Sequence, residues 1–339
     1  MSTSSPPVGR QATSSPAHRD SGFTMVELIV TISILTLLLL LLTPSLQRAL
    51  ESARSTVCLQ HLGKAAKGVI TYAGDFGQIL PGPNTSGYSL GLAPGNYAAD
   101  DDDMRTAPVT NCDWVSPSLG NNLALSRVRL QRLRDIFNSE MRCPTNDVHF
   151  SSMVTEGSGS MEGLTTDGLR YSSYTMAMGF AVLPPSQQGL GRVTSVALED
   201  VLEYPGNYYP NVDRIGVSSE KILLTEGARY VQSTGSPAVY STIAQNDGGN
   251  FMTYGPAIPQ DNDPYPQADD LVNGNVPDNL ERLSYRHYGN GNAAFFDGHG
   301  DTLTPAESRR TSYYFPSGTR VIDPAATMDP DDAADDILP

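Results

Sequence analysis

The chain has 339 residues, of which 39% are hydrophobic, and its 22 basic and 37 acidic side chains give a formal net charge of −15. That length can bury a sizeable core in one or two domains. The acidity argues against nucleic acid and against an anionic membrane surface as partners, because both reward positive charge.

In chain order, residues 1–22 are rich in Ser, Thr and Pro, lack an apolar period, and read as a leader without a packed core. Residues 23–42 then form a run of twenty with Glu27 as the single charge. As a helix this run spans about 30 Å, the thickness of a bilayer's hydrocarbon core. An ordinary secretory signal has a shorter apolar region, about 7–15 residues, and a small-x-small cleavage site after it. Neither feature is present around Leu40 to Pro44. A carboxylate within a spanning helix costs about 2.5–3.5 kcal/mol, so Glu27 needs a partner. An α-amino group freed by cutting before Phe23, on the same chain or on a neighbouring one, would supply the charge one helical turn away.

Gly22-Phe23-Thr24-Met25-Val26-Glu27 followed by this Leu/Ile-rich run resembles the type IV prepilin signature of pilins and type II secretion pseudopilins. The resemblance implies that a prepilin peptidase cuts between Gly22 and Phe23 and methylates Phe23, and that Glu27 guides assembly with other pilin-like subunits. It also implies a bacterial inner-membrane protein with a single span, a cytoplasmic leader and an exported C-terminal head. Pro44 stands where that family often bends its helix. Basic residues flank the run on both sides, so charge alone leaves the orientation open.

After Pro44 the apolar positions Leu46, Leu50, Ala53, Val57, Leu62, Ala65 or Ala66, Val69 and Ala73 predict a continuing amphipathic helix. Gly74 is the expected C-cap, which gives one long helix over residues 23–75. Three cysteines, Cys58, Cys112 and Cys143, leave three pairings open for one disulfide. None has Cys-x-x-Cys spacing, which argues against a thiolate metal site. The stretch from Cys58 to Pro81, together with Cys143-Pro144, resembles a larger prepilin-like group marked by an H-X9-DG motif. That resemblance implies a Cys58–Cys143 bond.

Residues 85–120 read as loop anchored by Trp114, and residues 122–138 return to helical spacing. Arg127, Arg129, Arg132 and Arg134 on that helix read as a solvated face. Residues 171–182 and 221–225 are predicted strands, residues 228–280 an insertion of turn residues, and residues 323–339 a disordered acidic tail. Asp100-Asp101-Asp102-Asp103 and Asp261-Asn262-Asp263 raise calcium as a candidate ion, although neither has EF-hand spacing; no other cofactor is suggested.

Near the C-terminus, residues 283–303 predict a three-stranded meander: a strand to Tyr288, a Gly289-Asn290-Gly291-Asn292 turn, a strand to Phe296, and a two-residue type I′ turn at Asp297-Gly298. Nine residues separate His287 from Asp297-Gly298, which matches H-X9-DG. His287, Asp297 and His299 are candidate metal ligands. The preferred reading is turn chemistry at Asp297-Gly298 and a structural hydrogen-bonding role for His287.

The expected fold class is α+β: a long N-terminal helix, then a globular head over residues 76–322 with a small antiparallel sheet, as in pilins. The expected function is that of a structural subunit of a type II secretion or type IV pilus-like filament. An export-anchored periplasmic binding or metal-dependent hydrolase domain is the alternative. No catalytic residue is assigned, and the chain lacks Gly-x-Ser-x-Gly, His-Glu-x-x-His and a phosphate-binding glycine loop.

Overall fold

The computed structural model describes residues 23–91, 104–109, 111–146, 173–189, 192–227, 251–252, 256–258 and 285–339. Helix α1 runs over Met25–Asp75, with Pro44 inside it. The chain divides into two units, Met1–Ala49 and Leu50–Pro339. In the first, every described residue is exposed. Its apolar stretch meets the length and composition needed to cross a membrane.

The hydroxyls of that stretch are satisfied within the helix. Thr31, Ser33, Thr36, Thr43 and Ser45 each donate to a main-chain carbonyl three or four residues back, at 2.7–2.9 Å. A lipid core offers no water to do this, so the arrangement suits a span.

In the second unit, α1 buries Cys58, Leu62, Ala65, Ala66, Val69 and Ala73, while Leu50, Ala53 and Val57 of the same predicted stripe are exposed, as is Leu46 in the first unit. The helix ends at Asp75, as the sequence predicts, but Gly77 and not Gly74 takes the left-handed cap: Gly77 has φ 65° and the Gln78 amide donates to the Ala73 carbonyl at 2.6 Å, a Schellman motif.

Two short helices, α2 (Tyr88–Gly91) and α3 (Val115–Leu119), interrupt the expected loop, and Trp114 is fully buried as its anchor. Helix α4 covers Arg129–Asn138. Arg127, just before the helix, is exposed, but the helix's own arginines are not a solvated face. Arg132 is completely buried and donates to the carbonyls of Met104, Ser126 and Arg127, and Arg129 donates to that of Val109. An arginine's five donors make it a better clamp for loop carbonyls than any apolar side chain, which the helical spacing alone does not reveal.

The main sheet has five strands in the order β4-β1-β3-β5-β6. They are β1 (Tyr174–Ala177), β3 (Ile222–Glu226), β4 (Phe251–Met252), β5 (Gly291–Phe295) and β6 (Gly300–Leu303). Every pairing is antiparallel except β1 with β4, which is parallel. Strands β1, β3 and β5 are buried at every position, so both faces of the sheet are covered. A second sheet pairs β2 (Leu202–Glu203) with β7 (Arg320–Val321). The layout is α+β.

Residues 323–339, expected to be disordered, form hydrogen-bonded turns with Thr327 and Leu338 buried and the other side chains exposed or half-buried. Val321 and Leu338 donate amide bonds to Asp336 and Thr319, and Leu338 is buried. The acidic residues there close turns: Asp323 accepts from the Ala325 amide, Asp329 from Asp331, and Asp336 from Ala333. Asp and Ala composition resembled a solvated tail, but Asp side chains are also the residues that nucleate tight turns.

Candidate functional site

Candidate residues gather in two places. At the start of α1, Thr24 and Glu27 form a reciprocal capping box. The Thr24 amide and hydroxyl donate to Glu27 Oε2 at 2.9 and 2.8 Å, and the Glu27 amide donates to Thr24 Oγ1 at 3.2 Å. The Thr-x-x-Glu spacing signals this cap directly. Glu27 therefore sits at the positive end of the helix dipole, within one turn of Phe23, which is exposed. Gly22 and the leader lie outside the described residues.

The second place is a buried polar cluster in the head. The ligand-type atoms of Cys58, Cys143, Glu226 and His287 all lie within 4.8 Å of one another, and all four residues are buried. Each arrives from a different element. Cys58 lies on α1, on the same face as Glu51 and Ser55, at the i, i+4, i+7 spacing of one helical side. Cys143 opens a turn in which Pro144 follows and the Asn146 amide donates to the Cys143 carbonyl at 3.0 Å. Glu226 ends β3, and the register sets it opposite Tyr174 of β1, so both side chains reach Cys58.

His287 is placed by a turn that the sequence reading misassigned. Residues His287 and Asn290 exchange both main-chain bonds at 3.1 Å, and Tyr288 and Gly289 between them have φ of 54° and 80°. This is the two-residue type I′ turn. Asp297-Gly298 instead belongs to a three-residue loop, with Gly298 alone at positive φ and the Phe295 amide bonded to the His299 carbonyl. Strand β5 lies between the two turns, and five residues of strand span about 17 Å.

That separation parts the candidate ligands. Asp297 and His299 pair with each other at 2.5 Å in a solvent-facing loop, and His299 stacks on Phe295. His287 instead joins the cysteines. Its Nδ1 meets Glu51 Oε1 at 2.7 Å, and its Nε2 meets Glu226 Oε1 at 2.9 Å and Cys143 Sγ at 3.4 Å.

A further shell holds these groups. Asn292 donates its amide to Glu226 Oε2 and its Nδ2 to Oε1, at 3.2 and 3.3 Å, while bonding Ser55 of α1 as well. Thr145 donates to Glu51 at 3.1 Å, and Arg54 lies 3.5 Å from the same carboxylate. The Tyr174 hydroxyl lies 3.2 Å from Cys58 Sγ. Burial alone would lower the His287 pKa, but its bonds with Cys143 and Glu226 outweigh that and raise it to about 10. The bond from Cys58 draws Cys143 down to about 6 against burial, whereas burial pushes Cys58 up.

All three cysteines are unbridged in this structure. The expected Cys58–Cys143 pair is brought together, but as a hydrogen-bonded pair of sulfurs within a four-residue group. Glu51, Glu226, Asn292 and Tyr174 escaped the sequence reading. The one available signal was Glu226 itself, a carboxylate ending the apolar strand Ile222-Leu223-Leu224-Thr225. The acidic clusters at 100–103 and 261–263, raised for calcium, lie outside the described residues.

The family model described as "Prokaryotic N-terminal methylation motif" matches residues 17–43, which include Gly22, Phe23 and Glu27. No curated protein and no solved structure matches the chain. The match supports a type IV pilin-like protein that follows the prepilin route, with one long apolar helix suited to anchor it in a membrane. The C-terminal H-X9-DG stretch lies beyond the matched segment.

Proposed function

We propose that this chain is a pilin-like or pseudopilin structural subunit of a type II secretion or type IV pilus-like filament. Prepilin peptidase cuts it between Gly22 and Phe23 and methylates Phe23. The helix holds it in the bacterial inner membrane, with the head exported, until it packs against other pilin-like subunits. The chain performs no reaction in this scheme; the N-terminal chemistry is done to it.

The observation that carries this reading is the start of α1. An exposed, internally satisfied apolar run opens α1 at Met25, and the one charge among residues 23–42 sits at the third helical position. Cleavage before Phe23 would place a new amine one turn from the Glu27 carboxylate, and such a pair can be made within a chain or between packed helices.

The capping box sharpens the test, because Glu27 has both a neutral and a charged role. Glu27→Gln keeps an oxygen for the Thr24 amide but removes the charge. The variant should be cut at Gly22-Phe23 like the native chain, as read by N-terminal sequencing and mass, and should fail to enter sheared filaments or cross-linked assemblies. Incorporation at native levels would refute the assembly role and favour an export-anchored domain.

A further inference from the structure

We propose that Cys58, Cys143, Glu226 and His287 bind one structural zinc ion that fastens helix α1 to the head. The donor set has two sulfurs, one imidazole nitrogen and one carboxylate oxygen, the ligand chemistry of tetrahedral zinc. Bonds of about 2.0–2.3 Å to a central ion give a tetrahedron with edges of about 3.3–3.8 Å. The four donor atoms already lie within 4.8 Å of one another, with Cys143 Sγ and His287 Nε2 at 3.4 Å.

The surroundings are those of a metal site rather than of a disulfide. A disulfide would use the two sulfurs and give no role to a buried histidine and glutamate aimed at the same point. Here His287 turns Nε2 inward and gives Nδ1 to Glu51, the carboxylate–histidine pairing that orients a ligating imidazole. Asn292 holds both Glu226 oxygens, and Tyr174 lies against the Cys58 sulfur.

All four positions are filled by protein, so the ion has no open coordination site and is structural, not catalytic. It would tie together α1, the Cys143-Pro144 turn, the end of β3 and the His287 turn. Wide sequence separation explains why a search for Cys-x-x-Cys spacing passes over it.

The test uses the full chain purified from membranes in detergent. Elemental analysis should find about one zinc per chain. Chelation should lower the melting temperature, and zinc should restore it where calcium does not. Cobalt in place of zinc should give a sulfur-to-cobalt charge-transfer band. Cys143→Ser should abolish that band, while Cys112→Ser and Asp297→Asn leave it unchanged. Should Cys143→Ser fail to fold, Glu51→Gln serves instead, with zinc affinity expected to fall by about 10–100-fold while binding persists. A native chain that carries a Cys58–Cys143 disulfide and no metal would overturn the proposal. So would thiols that stay metal-free in excess zinc, or zinc binding indifferent to both variants.

Discussion

Lys221 is completely buried, and its ammonium donates to the carbonyls of Ser312, Phe315 and Pro339 at 2.8, 3.0 and 2.7 Å. Burial lowers its pKa to about 8, which the nearby Glu220 only partly opposes. A base whose folded pKa lies below its unfolded value binds fewer protons when folded, so it penalises folding at neutral pH. That penalty lifts as pH rises from about 8 to about 10.5. The native chain should therefore gain stability over this window, on the order of 3 kcal/mol, relative to Lys221→Met. Urea unfolding of both proteins at the two ends of the window checks it; parallel behaviour would exclude a titrating Lys221. At this scale the sequence was legible where a residue acts on its near neighbours. Glu27 three residues from Thr24 is such a case. Lys221 and Glu226 were opaque, because their partners lie far along the chain.

Elements were readable to the extent that their ends obey local rules. The apolar run, the long helix and the β3 strand follow from period and composition. The Schellman end at Gly77-Gln78, in place of Gly74, turned on which glycine took positive φ, and two candidates three residues apart offer the same chemistry. The hairpin erred for the same reason. Tyr288-Gly289 and Asp297-Gly298 can both close a tight turn, and pairing with β3 and β6 decides which is two residues long.

A close approach that no local pattern shows lies at Gly179, just after β1. A Cβ there would stand 2.1 Å from the Tyr314 carbonyl oxygen, and the Gly179 carbonyl already accepts from the Tyr204 hydroxyl at 3.0 Å. Gly179→Ala must displace backbone and should cost about 3 kcal/mol, seen as a lower denaturation midpoint. A substitution that left the midpoint unmoved would mean the two segments separate freely.

For the whole molecule, the C-terminal segment matters as much as the N-terminal motif. Leu338 enters the core, Arg320 bridges Glu203 and Asp335, and the Pro339 carbonyl receives Lys221. Leu338→Ala should destabilise the chain by about 2–4 kcal/mol, measured by urea unfolding, whereas a solvated tail would register no change.

What the residues determined unaided was the membrane-length helix, its capped start and the prepilin motif, since each depends on neighbours within a few positions. Only tertiary structure decided that positions 58, 143, 226 and 287 meet, that Asp297 and His299 stand apart from them, and that an acidic terminus forms hydrogen-bonded turns and buries Leu338. Those outcomes rest on strand register and on which face of α1 meets the sheet, and long-range pairing of that kind leaves no periodic trace in the sequence.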